Sequence, residues 1–249
     1  MSAGRAGGRG FPAGWYGKIP TTGDFVARRV PGLFVGEWDR WASSALEGAQ
    51  QRLGREWREH YLSMPVWRFL FSPGLIGARA WAGIMLPSVD AVGRYYPLVM
   101  VAALPSARLD VLATALRART WFEQLEEAGL AALAPRSRSA DIDARVAACR
   151  FREEWLFSLE AGATAPERVT RPRMVAIALD AGAASLSAAG ALATGLAEPC
   201  AAWLAEPSEI LGGSLLLGEA LPSGEHFCAM MDGRWREHGW TVRETQAVS

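Results

Sequence analysis

Two apolar runs, 80–86 and 95–103, stand either side of a short polar segment, within the stretch Trp81-Ala-Gly-Ile-Met-Leu-Pro-Ser-Val-Asp-Ala-Val-Gly-Arg-Tyr-Tyr-Pro-Leu98. Apolar runs of strand length joined by a segment with Asp and Gly fold back on each other as a β-hairpin. So short a connection forces antiparallel pairing, because a parallel pair needs a crossover of about a dozen residues or more. Two charges, Asp90 and Arg94, sit inside this otherwise apolar stretch. Such charges either lie at the exposed turn or pair with each other.

The same reading extends along the chain. Residues 15–20 and 24–30 are candidate strands around the Thr-Thr-Gly turn at 21–23. Pro31 suits the opening of a helix. Phe34, Trp38, Trp41, Ala42, Ala45, Leu46, Ala49 and Leu53 then recur at three- and four-residue spacing, which predicts a long amphipathic helix. A short helix through Trp57 and Tyr61 follows. Residues 66–71 form a strand stopped by Ser-Pro-Gly at 72–74, and Pro105 closes the hairpin. Helices are expected at 107–133 and 139–161, a strand at 174–179, an alanine-rich helix at 182–196 and strands at 200–205 and 214–219. A last helix at 222–232 is stopped by Gly233. Strands with short connections, covered by helices, predict an α/β fold: a three-layer α/β/α sandwich around a mixed, mainly antiparallel sheet. We expect a flexible lead-in at 1–11, one domain at 12–240 and a tail at 241–249, with 162–173 as the only plausible seam.

Composition removes several classes of function. Half of the 249 residues are hydrophobic, enough for a sizeable core, and 26 basic residues balance 26 acidic ones. A neutral chain lacks the basic face that nucleic-acid binding needs. The longest apolar stretch, 98–104, is far too short to span a bilayer, and the Gly- and Arg-rich start lacks the apolar segment of a signal peptide. A cytoplasmic protein is expected. Cys149, Cys200 and Cys228 form no C-x-x-C pair, so buried free thiols are expected. Gly17-Lys18 is followed by Ile19, with Pro12 where a phosphate loop needs its first glycine. No H-E-x-x-H or G-x-S-x-G occurs. His60, His226 and His238 are scattered and read as surface or cap residues, so no metal or cofactor is expected.

Four segments together carry a resemblance. They are Gly14-Trp-Tyr-Gly-Lys-Ile-Pro-Thr-Thr-Gly-Asp-Phe25, Phe34-Val-Gly-Glu-Trp-Asp-Arg-Trp41, Pro65-Val-Trp-Arg-Phe69 and the hairpin 81–98. In this order they resemble the TagF family, accessory proteins of bacterial type VI secretion, over about residues 14–104. The C-terminal half resembles the family only in layout and in Phe227 to Trp235. The resemblance implies a cytoplasmic, non-enzymatic, post-translational repressor that binds the forkhead-associated scaffold protein Fha, and a three-layer α/β/α sandwich.

Lys18, Asp24, Asp90 and Arg94 all lie at or beside predicted turns, so their heads can gather at one edge of the sheet. Three readings stay open: an ion-pair network that fixes the turns, a patch for a partner or small ligand, and a catalytic site, which lacks an evident nucleophile or base. Trp67, Arg68, Arg28 and Arg29 are chemically suited to an interface. A structural subunit of the secretion machine is a further alternative. The partner surface and oligomeric state are not legible.

Overall fold

Alternation along the central strands decides the architecture. In the structure, a computed structural model describing residues 9–105, 109–158, 173–179 and 199–244, Ala82, Ile84 and Leu86 pack on one face of the sheet, and Trp81 and Met85 on the other. Both faces are therefore covered, and all six residues of this strand are buried. The elements in chain order are β1 (Gly10–Gly17), β2 (Val26–Arg28), α1 (Gly32–Leu53), α2 (Trp57–Ser63), β3 (Trp67–Phe71), β4 (Trp81–Leu86), β5 (Leu98–Ala103), α3 (Val111–Arg117), α4 (Arg119–Ala132) and α5 (Ser139–Ala148). They continue with β6 (Arg150–Arg152), β7 (Met174–Ala178), β8 (Ala201–Ala205), β9 (Ser214–Gly218), α6 (Gly224–Asp232) and β10 (Thr241–Glu244).

The strands form one sheet in the order β10-β7-β9-β8-β3-β4-β5-β1-β2, with β6 pairing β1 off this path. Every pairing is antiparallel except β10 with β7. Helices α3, α4 and α5 cover one face through Leu112, Trp121, Phe122, Leu125, Ile142 and Val146. Helices α1, α2 and α6 cover the other through Phe34, Trp38, Tyr61, Phe227 and Met230. The result is the expected α/β/α sandwich around a mixed, mainly antiparallel sheet. Burying one Phe-sized side chain contributes about 1.5–3 kcal/mol, and Trp38, Phe69, Phe71 and Trp203 are all fully buried on the α1/α6 face. That face is closed by a backbone contact. A Cβ on Gly48 of α1 would lie 2.8 Å from the Cα of Gly224, so two glycines let α1 and α6 touch.

Several elements differ from the sequence reading. The segment at 107–133 is two helices, broken at Ala118, so that α3 lies over β3 and β8 while α4 lies over β4 and β5. The expected helix at 139–161 ends at Ala148. Arg150, Phe151 and Arg152 alternate exposed, buried and exposed, and pair with Pro12, Phe11 and Gly10. Strand β1 therefore begins at Gly10, inside the expected lead-in, and β10 lies inside the expected C-terminal tail. The hairpin register runs from Trp81↔Ala103 to Leu86↔Leu98, so its connection is the longer loop 87–97, pinched by an isolated bridge between Val89 and Tyr95. The expected helix at 182–196 lies outside the described residues, as does nearly all of the proposed seam.

Candidate functional site

At the end of β1 the chain enters a loop, and the hairpin connection folds against it. Lys18 Nζ lies 2.6 Å from Asp90 Oδ2, with the two side chains 5% and 0% exposed. Arg94 Nε donates to the same oxygen at 2.7 Å, while the backbone N–H groups of Val92 and Arg94 donate to Asp90 Oδ1 at 3.0 and 2.9 Å. Burial pushes the Asp90 pKa up, but the hydrogen bonds from Lys18 and Arg94 outweigh it and hold this carboxyl well below the usual range. Gly17 makes the approach possible. Its φ is +135°, and a Cβ there would lie 2.4 Å from the Pro97 carbonyl oxygen.

Backbone bonds carry the lock outward. Ala91 N–H donates to Thr22 O at 3.0 Å, and the Arg94 guanidinium reaches the Gly23 carbonyl. Ser88 Oγ donates to Lys18 O at 2.7 Å, and Tyr61 Oη exchanges hydrogen bonds with the Ser88 backbone at 3.1 and 3.0 Å. Helix α2 is thereby tied to both loops. Burial pushes the Tyr61 hydroxyl pKa up, against the opposing pull of its bond to Ser88.

An aromatic cluster sits beside the ion pair. Tyr16 Oη and Tyr96 Oη each donate to Asp39 Oδ1 at 3.0 Å. Phe25 stacks on Tyr16 at 5.6 Å and meets Tyr96 edge-on at 4.7 Å, with Lys18 Nζ 4.8 Å from its ring centroid. Burial, reinforced by Asp39, pushes the Tyr16 pKa up to about 12 and also raises that of Tyr96. Tyr16, Asp39, Tyr61, Ser88 and Tyr96 were not singled out from the sequence. The signal available was that Tyr16, Asp39 and Tyr96 all fall inside the four quoted segments.

The structure brings together Lys18, Asp90 and Arg94 but not Asp24. Asp24 is exposed, and among the described residues its carboxylate accepts only the neighbouring Phe25 N–H, at 2.7 Å. Arg28 is exposed and donates to its neighbour's carbonyl, Ala27 O. Arg29 is exposed as well, and it ties β1 to α5. It adopts φ 55°, and its guanidinium reaches Ala13 O at 3.0 Å and Asp143 Oδ1 at 2.6 Å. A left-handed backbone at a non-glycine residue costs about 1–2 kcal/mol, offset here by those bonds.

Trp67 and Arg68 are corrected from interface candidates to core. Trp67 is fully buried and donates to Met230 O at 3.1 Å. Arg68, on the opposite face, grips Glu126 with two bonds of 2.7 Å and Glu206 with one of 2.8 Å. Burial lowers its pKa, but the bonds to Glu126 and the nearby carboxylates raise it more. His238 is likewise buried rather than superficial, between Arg52 Nε at 3.0 Å and Asp232 at 2.9 Å. His226 fits the cap reading, next to Ser223 at the start of α6. All three cysteines are buried, Cys149 and Cys228 as free thiols. Among the described residues no group of His, Cys, Asp or Glu is placed to hold a metal ion, and no helix is long and apolar enough to cross a membrane.

The locked loops, the Asp39 cluster and Arg29 all fall inside one matched region. The sequence profile of the TagF N-terminal domain, described as type VI secretion system-associated, matches residues 14–149. The chain belongs to the TagF family. The match runs from β1 to the end of α5, and β6 to β10 with α6 lie beyond it. The fold as a whole is similar to the crystal structure of PA0076 from Pseudomonas aeruginosa PAO1, at 29% identity and a TM-score of 0.71, over 89% of this chain and 94% of that one. No curated protein sequence matches the chain. Membership of the TagF family makes this a type VI secretion system-associated protein.

Proposed function

We propose that the chain is a cytoplasmic, post-translational repressor of type VI secretion that acts by binding the forkhead-associated scaffold protein Fha, without catalysis. The observation that carries this reading is how the charged residues of the TagF signature are used. Asp90 accepts bonds from Lys18, from the Arg94 side chain and from two backbone N–H groups. A carboxylate so held, with its pKa depressed, makes a poor general base. Lys18 is buried against it. The cluster therefore spends its chemistry on fixing the shape of two loops, which supports a protein that works through its surface. Asp24, the second carboxylate that a ligand or catalytic reading would recruit, stands outside the cluster. Co-purification of the tagged chain with Fha from cells carrying both is the direct test. Recovery of Fha supports the reading, and its absence from the bound fraction at comparable expression contradicts it.

A further inference from the structure

The buried ion pair has an exposed counterpart on the other side of the same loops. A buried salt bridge brings little net stability compared with apolar packing, and what it can bring is a single fixed geometry. Here the geometry it fixes is that of residues 20–25 and 88–96, joined by Ala91 N–H to Thr22 O and by Arg94 to the Gly23 carbonyl. These loops hold apolar side chains in solvent. Val92 is 68% exposed and Phe25 is 41% exposed, although the inner face of Phe25 is pinned by Tyr16 and Tyr96. Val92 also lies close to Gly23, where a Cβ would be 4.0 Å from Val92 Cγ1, so the apolar surface bridges the two loops.

Charge on this platform is unevenly displayed. Lys18 and Asp90 are buried and neutralise each other. The Arg94 side chain is 57% exposed, and its Nη1 has no hydrogen-bond partner among the described residues. Arg58 of α2, also exposed, lies over the Tyr95 ring at 5.5 Å on the flank of the same loop. Within the two loops Arg94 presents the open guanidinium edge, while the Asp24 carboxylate is engaged by the Phe25 N–H and Arg58 on α2 stands beside the exposed Glu59. A planar guanidinium with an open edge beside apolar side chains suits a carboxylate next to an apolar residue. Holding the platform rigid before contact also lowers the ordering cost of binding.

We infer that the paired loops presenting Phe25, Val92 and Arg94 form the docking face of this chain, and that their partner is a protein offering an apolar side chain bordered by carboxylates. The inference rests on the reading of the chain as a binding regulator and names the surface for it. Val92 gives a clean test, because its side chain is the most exposed large apolar one among the described residues and only its backbone N–H serves the lock. Val92→Glu places a like charge against the partner's carboxylates, whereas Val92→Lys removes the same apolar contact without that repulsion. Binding to purified Fha and repression of secretion in cells are both read, with thermal unfolding as the check on fold. Val92→Glu weakens binding by about tenfold or more and relieves repression, and Val92→Lys loses clearly less. Wild-type activity retained by Val92→Glu overturns the docking face, and equal loss in both variants overturns the carboxylate-bordered partner; either leaves the repressor reading in place. A wild-type chain that neither binds nor represses overturns both.

Discussion

Lys18→Met removes one partner of the buried pair, together with the ammonium over the Phe25 ring, while keeping an unbranched side chain of similar reach. Breaking a buried ion pair costs about 3–5 kcal/mol, because the remaining charge is left without its counter-ion. Asp90 is not wholly abandoned, since Arg94 Nε at 2.7 Å and two backbone N–H groups stay in place. The low end, about 3 kcal/mol, is therefore expected. For a chain of this size about 2–4 °C of Tm is lost per kcal/mol, giving a drop of roughly 6–12 °C at pH 7. The pH dependence is a second signature. The folded pKa of Asp90 lies below its ordinary value of 3.8. The wild-type chain therefore holds this stability above about pH 4 and loses it as pH falls toward the depressed pKa. In Lys18→Met the Asp90 pKa returns toward its ordinary value, so the difference between the two proteins narrows below about pH 4. Circular-dichroism melts at pH 7 and pH 3 measure both effects. A drop under about 2 °C at pH 7, or a gap equally wide at pH 3, refutes the lock.

Other consequences follow from the same geometry. The Tyr16 pKa is raised to about 12, so the unfolded chain releases that proton first as pH rises. Stability attributable to Tyr16 is present below pH 10 and lost between about 10 and 12, and alkaline melts of Tyr16→Phe should show a shallower decline there. Gly48→Val drives a side chain into the Gly224 backbone at the α1–α6 contact, and such overpacking costs about 1–3 kcal/mol in chemical denaturation. Trp67→Ala leaves a cavity between β3 and α6 and costs about 3–5 kcal/mol, with lost solubility as the accompanying sign. Burial and the nearby Asp232 push the Cys228 thiol up to about 11, so thiol-reactive reagents at pH 8 should label Cys228 at an appreciable rate only after denaturant is added.

Much of the fold is legible because alternation and helical spacing are local signals. Strands β3, β4, β5, β8 and β9 carry near-continuous apolar runs, as strands buried on both faces must, and α1 shows its stripe from Phe34 to Ala49. The turn from Asp90 to Arg94 is legible for the same reason, since its two charges stand four residues apart inside apolar sequence. What failed was non-local. Trp155 is read from the sequence as part of the apolar face of a helix at 139–161, and only pairing with Gly10–Pro12 turns Arg150–Arg152 into a strand. Arg68 looks like a surface residue until Glu126, 58 positions away, is placed across from it. His238 is hidden by Arg52 and Asp232 in the same way. The gathering of Lys18, Asp90 and Arg94 could be anticipated from their turns, but Asp24 could not be separated from them without the direction of its side chain.

The central claim is that the TagF signature builds a fixed surface through which the chain represses type VI secretion. The most direct measurement is the amount of a type VI substrate released by cells that overproduce the chain, with the abundance of the apparatus components followed in the same cultures. Release is expected to fall sharply while those components stay at their normal levels, and Lys18→Met, at equal soluble abundance, to repress less. Undiminished release at high levels of the wild-type chain contradicts it.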